Sequence, residues 1–315
     1  MSCAVIQSTF ASSNGMNTIT YYVYQDETVV PKGIVQIVHG MCEYFLRYDP
    51  FCRYLAQNGY VVCGHDHIGH GNSVRRPEEL GYFADHNGWQ YLIEDTHRMV
   101  HLIRAQYPEL PFYILGHSMG SFVVRCFLDL YSNDVDGAIL SGTGGNPLAG
   151  AGIVAANMIK SIHGGHYRSE TLKKMTGLDG TKYPDHYSDL DWLTRDHQVI
   201  DEYAKDTKSN FTFTVNGYID LFSLVRTADN PHWGSSIRKD LPIYLFSGDQ
   251  DPVGGFGKGV KKVYRHLNQL GIQDVSMRLY ENGRHEMLNE INRSEVYHYV
   301  LSWLNRHLPE EQNDL

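Results

Sequence analysis

The sequence predicts an α/β fold, a mostly parallel sheet with helices on both faces. Three observations predict it. Short apolar runs at residues 33–38, 60–64, 111–115 and 241–246 have the length of buried strands. Amphipathic stretches alternate with them; at 91–106, Leu92, Thr96, Met99, Leu102 and Ile103 share one helical face. The apolar run 111–115 enters Gly116-His117-Ser118-Met119-Gly120, and the helical run 121–128 follows at once.

Each element follows in chain order. Residues 16–24 are Thr/Tyr-rich and follow Asn14-Gly15, so they read as an early strand of a hairpin. Residues 33–38 end at His39-Gly40 as a buried strand. Residues 47–58 are helical by the spacing of Tyr48, Phe51 and Leu55, and stop at Gly59. A strand at 60–64, the helix at 91–106 and the strand–serine–helix unit come next, then a core strand at 136–141. The rhythm breaks between Asn146 and Lys239. There Leu148, Gly152, Ala155, Met158, Ile159 and Ile162 form an apolar stripe at helical spacing, expected to be core. More helix is expected around 196–205 and 217–226. The rhythm resumes with a strand at 241–246, a helix at 257–270, a strand at 275–280 and a final helix at 292–307. The expected organisation is a sheet domain of residues 1–145 and 240–315, with a helical lid of residues 146–239 inserted into it. A separate second domain is disfavoured, because both flanking halves are needed to complete one sheet.

The 315 residues suit one large α/β domain with an insertion. A hydrophobic content of 42% supplies a substantial core. The net charge of −9 without a basic block argues against nucleic acid as a partner. The acidic residues 309–315 read as a frayed, solvated end. Five cysteines, Cys3, Cys42, Cys52, Cys63 and Cys126, form no C-x-x-C pair and are odd in number, which predicts reduced thiols. The first residues lack the basic and apolar regions of a signal peptide, and no run approaches the roughly 20 apolar residues of a membrane span. A cytoplasmic, soluble protein is expected.

Residues 116–120 match G-x-S-x-G, the turn that holds a nucleophilic serine between a strand and a helix in α/β-hydrolases. A serine hydroxyl needs a base within hydrogen-bond reach and an acid that orients that base. In this fold the order along the chain is Ser, Asp or Glu, then His. Two acids follow a late strand, Asp249 and Asp251. Asp251 is preferred, being further from the strand end and backed by Pro252, while Asp249 would hydrogen-bond loop amides. His285 follows the last strand and a glycine turn, so it is the expected base. The oxyanion of a tetrahedral intermediate needs backbone N–H donors. Met119, at the start of a helix, supplies one, and Met41, in the loop after an early strand, is expected to supply the second.

These residues carry a resemblance. The stretch from His39 to Tyr48 resembles the H-G-x-x-E-x-x-x-R-Y run of monoacylglycerol lipases and bacterial lysophospholipase-like hydrolases of the serine aminopeptidase S33 type. Asp66-His67-Ile68-Gly69-His70-Gly71-Asn72-Ser73 looks like their D-x-x-G-H-G-x-S turn. Gly116 to Gly120 matches their G-H-S-M-G elbow, and Gly248-Asp249-Gln250-Asp251 resembles their G-x-x-D acid loop. Gly283-Arg284-His285-Glu286 is similar to the histidine loop of the bacterial branch. The resemblance implies ester hydrolysis on a lipid-like or other acyl substrate, no cofactor, and a lid over the pocket.

Other signals carry less. His65-Asp66-His67 with His70 invites a metal reading, but the spacing fits no zinc pattern, and Gly69 and Gly71 account for it as a tight turn. No metal is expected. Ile153, Trp192, Tyr218 and Phe222, with Trp233, are candidates to line a substrate pocket. The stripe from Leu148 to Ile162 also offers a face for transient membrane-surface contact. Two rival readings stay open. A peptidase or amidase on the same fold would use lid carboxylates among Glu170, Asp185, Asp189, Asp191 and Glu202. A ligand receptor of hydrolase fold would bind an acyl ester or lipid without turnover.

Overall fold

A computed structural model describes residues 3–178 and 180–309; the expected acidic end beyond Pro309 lies outside them. Eight strands form one sheet: β1 (Cys3–Ala11), β2 (Thr18–Asp26), β3 (Gly33–Val38), β4 (Tyr60–His65), β5 (Phe112–His117), β6 (Gly137–Ser141), β7 (Ile243–Gly248) and β8 (Val275–Tyr280). Their order is β1-β2-β4-β3-β5-β6-β7-β8. β2 runs antiparallel to both neighbours, and every other pair is parallel. Every residue of β3 to β7 is buried, which is why these strands read as unbroken apolar runs rather than alternating ones.

β1 was not expected. It forms the outer arm of the hairpin, and most of its residues, including Gln7, Ser8 and Thr9, are exposed. An edge strand with little to bury has no alternating pattern to announce it.

Nine helices are described: α1 (Asp49–Gln57), α2 (Gly88–Arg104), α3 (Met119–Tyr131), α4 (Ala149–His163), α5 (Glu170–Met175), α6 (His197–Lys205), α7 (Val215–Ala228), α8 (Lys258–Gln269) and α9 (Arg293–Arg306). Successive strand residues point to opposite faces, so the sheet supports two cores. Ile114, Leu140 and Leu245 pack on one side with Leu92 and Met99 of α2, Val123 of α3 and Val263 of α8. Leu115, Ile139 and Phe246 pack on the other with Phe51 and Leu55 of α1 and Val300 and Trp303 of α9.

β6 and β7 are sheet neighbours, yet 101 residues separate Ser141 from Ile243 (243 − 141 − 1). That intervening chain holds α4 to α7. α4 lies on α7, with Gly152 against the Phe222 ring. Here the stripe departs from expectation. Gly152 is buried and Ala155 and Ile159 are partly buried, but Leu148, Met158 and Ile162 are 68%, 63% and 76% exposed, with Val154 beside them. α4 is Gly, Ala, Val and Ile nearly all round, so spacing alone could not tell its packed face from its free one. Among the described residues, no helix is long and apolar enough to cross a membrane. All five cysteines are unpaired, as expected.

Candidate active site

The site begins where β5 turns into α3. Ser118 sits between them at φ 53°, ψ −121°, a region that a side chain rarely tolerates. The turn is fixed from both sides. The Ser118 N–H donates to the Ser141 carbonyl on β6 at 2.9 Å, and the Ser121 amide and hydroxyl donate to the Ser118 carbonyl at 2.8 and 2.6 Å. The flanking glycines are needed for close approach. A Cβ on Gly116 would strike the Gly120 carbonyl, and one on Gly120 would strike the Val38 carbonyl of β3. Gly120→Ala is therefore expected to cost about 3 kcal/mol or more, read as a lowered urea midpoint, because backbone rather than a flexible side chain must move.

Asp251 follows β7, and His285 follows β8. Both are fully buried, and His285 Nδ1 lies 2.9 Å from Asp251 Oδ1. Asp251 also accepts from the Ser247 hydroxyl at 2.6 Å and the Val253 amide at 2.8 Å. Burial pushes its carboxyl up, but the charge and hydrogen bond of His285, with the Ser247 donor, outweigh that and hold it below its ordinary value. Burial pushes His285 down, and the charge and hydrogen bond of Asp251 more than reverse this, leaving it raised. Asp249 takes another role, accepting from the Gln250 side-chain amide at 3.1 Å. The His117 ring lies 4.7 Å from the His285 ring, and Ser118 and His285 line one cavity. His285 Nε2 has no hydrogen-bond partner, so no Ser118–His285 hydrogen bond is formed in this structure.

The histidine loop is fastened to the chain between β6 and β7. The His285 and Glu286 amides donate to the Trp192 and Leu193 carbonyls at 3.2 and 2.7 Å, and Arg284 Nη1 donates to the Thr194 carbonyl at 3.0 Å. Glu290, fully buried, accepts from the Thr194 hydroxyl and the Arg195 amide at 2.9 Å each, and from the Arg284 amide at 3.1 Å.

Across from the base, the loop after β3 closes on the serine: a Cβ on Gly40 would lie 3.0 Å from Ser118 Cβ. The Gly40 N–H is already taken by Glu43 Oε1 at 2.5 Å, which leaves Met41 as the next amide along the loop. Met119 is the first residue of α3, where N–H groups have no acceptor within the helix. Both methionines line the same cavity as Ser118 and His285.

Sequence reasoning missed the charged group beneath this loop, although its residues lie inside the motifs. Arg47 donates to both Glu286 oxygens at 2.7 Å and to Glu43 at 2.8 Å, and the Tyr48 hydroxyl donates to Glu43 at 2.7 Å. All three charged side chains are nearly buried. Burial raises both carboxyls. Arg47 overcomes this at Glu286, which receives two of its bonds and is held low, but not at Glu43, which receives one and stays raised. Arg47→Met would leave two buried carboxylates facing each other. A loss of about 3–5 kcal/mol in urea unfolding is expected, with part of it recovered in Arg47→Met/Glu286→Gln.

The cavity of about 270 Å³ is walled by Phe122, Leu178, Leu221, Phe222 and Val225, with Trp192 near the base. Of the candidate lining residues, Trp192 and Phe222 border this cavity. Tyr218 does not line it; it is buried against Phe222 and Phe213 and faces a neighbouring chamber that shares Met41, Thr176, Leu178 and Trp192 with the first. Ile153 is not a lining residue either and packs into the core from α4. Trp233 lies elsewhere, with Nε1 donating to the Arg125 carbonyl at 2.7 Å. The turn at 66–73 is built as expected, with Gly69 and Gly71 at φ 72° and 50° and Asp66 accepting the Phe45 and Asn72 amides.

A family model described as serine aminopeptidase, S33, matches residues 30–292. The chain belongs to this family. Among relatives of this S33 hydrolase, the human monoglyceride lipase is 32% identical over 286 residues, covering 90% of this chain and 86% of the relative. The monoacylglycerol lipase of Mycolicibacterium smegmatis is 26% identical over 306 residues, covering 96% and 98%. Among solved structures, a thermostable carboxyl esterase from Bacillus coagulans in complex with glycerol superposes with a TM-score of 0.90 at 29% identity, covering 97% of this chain and 99% of that one. The fold of this S33 chain is thus that of the α/β-hydrolases.

Proposed function

We propose that this protein is a serine carboxylester hydrolase acting on monoacylglycerol- or lysophospholipid-like acyl esters through an acyl-enzyme. The observation that carries the reading is the buried Asp251–His285 pair beside Ser118 at the floor of an apolar cavity. Ser118 attacks the acyl carbonyl while His285 takes its proton and Asp251 holds the imidazole in its working tautomer. The Met41 and Met119 amides receive the oxyanion. His285 then protonates the departing alcohol and activates water to release the acid. The apolar wall of Phe122, Leu221, Phe222 and Val225 suits an acyl chain.

Residues 146–239 serve as the lid, and the exposed Leu148, Met158 and Ile162 supply its lipid-facing contact. The five free thiols support a reducing, cytoplasmic location. Neither rival is favoured by the geometry. None of Glu170, Asp185, Asp189, Asp191 and Glu202 lines the cavity that holds Ser118, although Glu170 and Asp189 border the neighbouring chamber. Asp185 pairs with Arg284 at 2.6 Å, and Asp191 accepts the Tyr187 and Ser188 amides.

The test is a panel of p-nitrophenyl esters of rising chain length, monoacylglycerols, lysophospholipids and aminoacyl-anilides, with fluorophosphonate labelling. Ester turnover that rises with chain length, with labelling at Ser118, is expected. Faster cleavage of the anilides would assign a peptidase, and no labelling at all a receptor.

A further inference from the structure

A second cluster lies at the far end of α3, away from Ser118. His97 and His101 stand one turn apart on α2 and rise from one face. Their ring centroids are 4.3 Å apart. Asp134 arrives from the turn after α3, with Oδ2 2.7 Å from His97 Nε2. One ligand atom from each residue lies within 4.8 Å of the other two. Ligands on one tetrahedral ion, at bonds of about 2.0–2.2 Å, stand about 3.3–3.6 Å apart. Side-chain rotation closes the set, with His101 drawn in and the His97–Asp134 contact opening slightly to admit the ion.

His101 is exposed; the other two are partly buried and held. The His97 ring stacks on Tyr131 at 3.7 Å with a 13° tilt and meets the edge of Phe127 at 5.8 Å. Arg104 donates to the Asp134 carbonyl at 3.3 Å, which fixes the turn. Two candidate ligands are therefore held side by side, and the third can swing.

We infer that His97, His101 and Asp134 bind one divalent transition-metal ion. Two imidazoles and one carboxylate suit Zn²⁺, Co²⁺, Ni²⁺ or Cu²⁺. Mg²⁺ and Ca²⁺ require more oxygen ligands. Water completes the coordination. α3 spans 13 residues, about 20 Å of helix, so the ion sits remote from the serine and takes no part in acyl transfer. Its role is to clamp α2 to the end of the helix that begins at the nucleophile. This site is separate from the His65–His70 turn and is independent of the proposed function.

Zn²⁺ titration of the untagged full chain by calorimetry at pH 7.5 tests it, beside His101→Ala and Asp134→Asn. His101 is exposed, so its replacement leaves the core untouched. Wild type is expected to bind one equivalent more than His101→Ala, or the same equivalent at least about tenfold more tightly. Excess Zn²⁺ should raise the wild-type Tm by about 3 °C more than that of the variant. Equal stoichiometry and affinity in wild type and His101→Ala overturns the inference, whatever other histidines bind.

Discussion

Ser118→Ala is expected to lower kcat toward a p-nitrophenyl acyl ester by about 10⁵-fold, because no other group at this position can form the acyl-enzyme. The fold should survive the change. Alanine keeps the Cβ that the elbow already accommodates at φ 53°, and the main-chain bonds to Ser141 and Ser121 do not involve the hydroxyl. An unchanged urea midpoint together with lost turnover and lost fluorophosphonate labelling is the expected pattern. Wild-type turnover in this variant would remove the serine, and with it the proposed mechanism.

Asp251→Asn is expected to cost about 10⁴-fold in kcat, since an amide cannot hold the imidazole in the tautomer that accepts the serine proton. Asp249→Asn, which touches only the Gln250 side chain, should stay within a few-fold of wild type. The pH profile gives a second readout. Asp251 is what raises His285 against the effect of burial. A base must be neutral to act, so the wild-type acid limb of kcat/KM should lie above the pH at which an ordinary histidine titrates. With the carboxylate gone, burial prevails, and the limb of the residual activity should move to lower pH. A limb that does not move would mean that Asp251 is not the partner of the titrating base.

The sheet and the placing of Asp251 and His285 at strand ends near Ser118 were legible because each rests on a local pattern. β3 to β7 are buried on both faces, so composition alone marks them. Ser118, Asp251 and His285 each follow a strand end, and the fold fixes where strand ends meet. What sequence could not give depends on contacts far apart along the chain. Arg47 and Glu286 stand 239 positions apart, and only folding makes them partners. Tyr218 is a large aromatic on α7, as Phe222 is, and nothing local says which of them meets the cavity. His97 and His101 are legible as a pair on a helix, but Asp134 joins them only through the packing of α3. α4 carries apolar residues around most of its circumference, so its free face emerged only once α7 covered the other.

The stitches between the histidine loop and Trp192, Leu193 and Thr194 divide residues 146–239 into parts that are not equally replaceable. A transplant of the whole stretch from a relative would carry away the carbonyls that seat His285, and would damage turnover whatever pocket it brought. A transplant that stops before Trp192 would exchange α4 and α5 while the base keeps its seat. The boundary for such an exchange in this scaffold therefore falls within the chain between β6 and β7, at about residue 191, and not at the edge of the sheet.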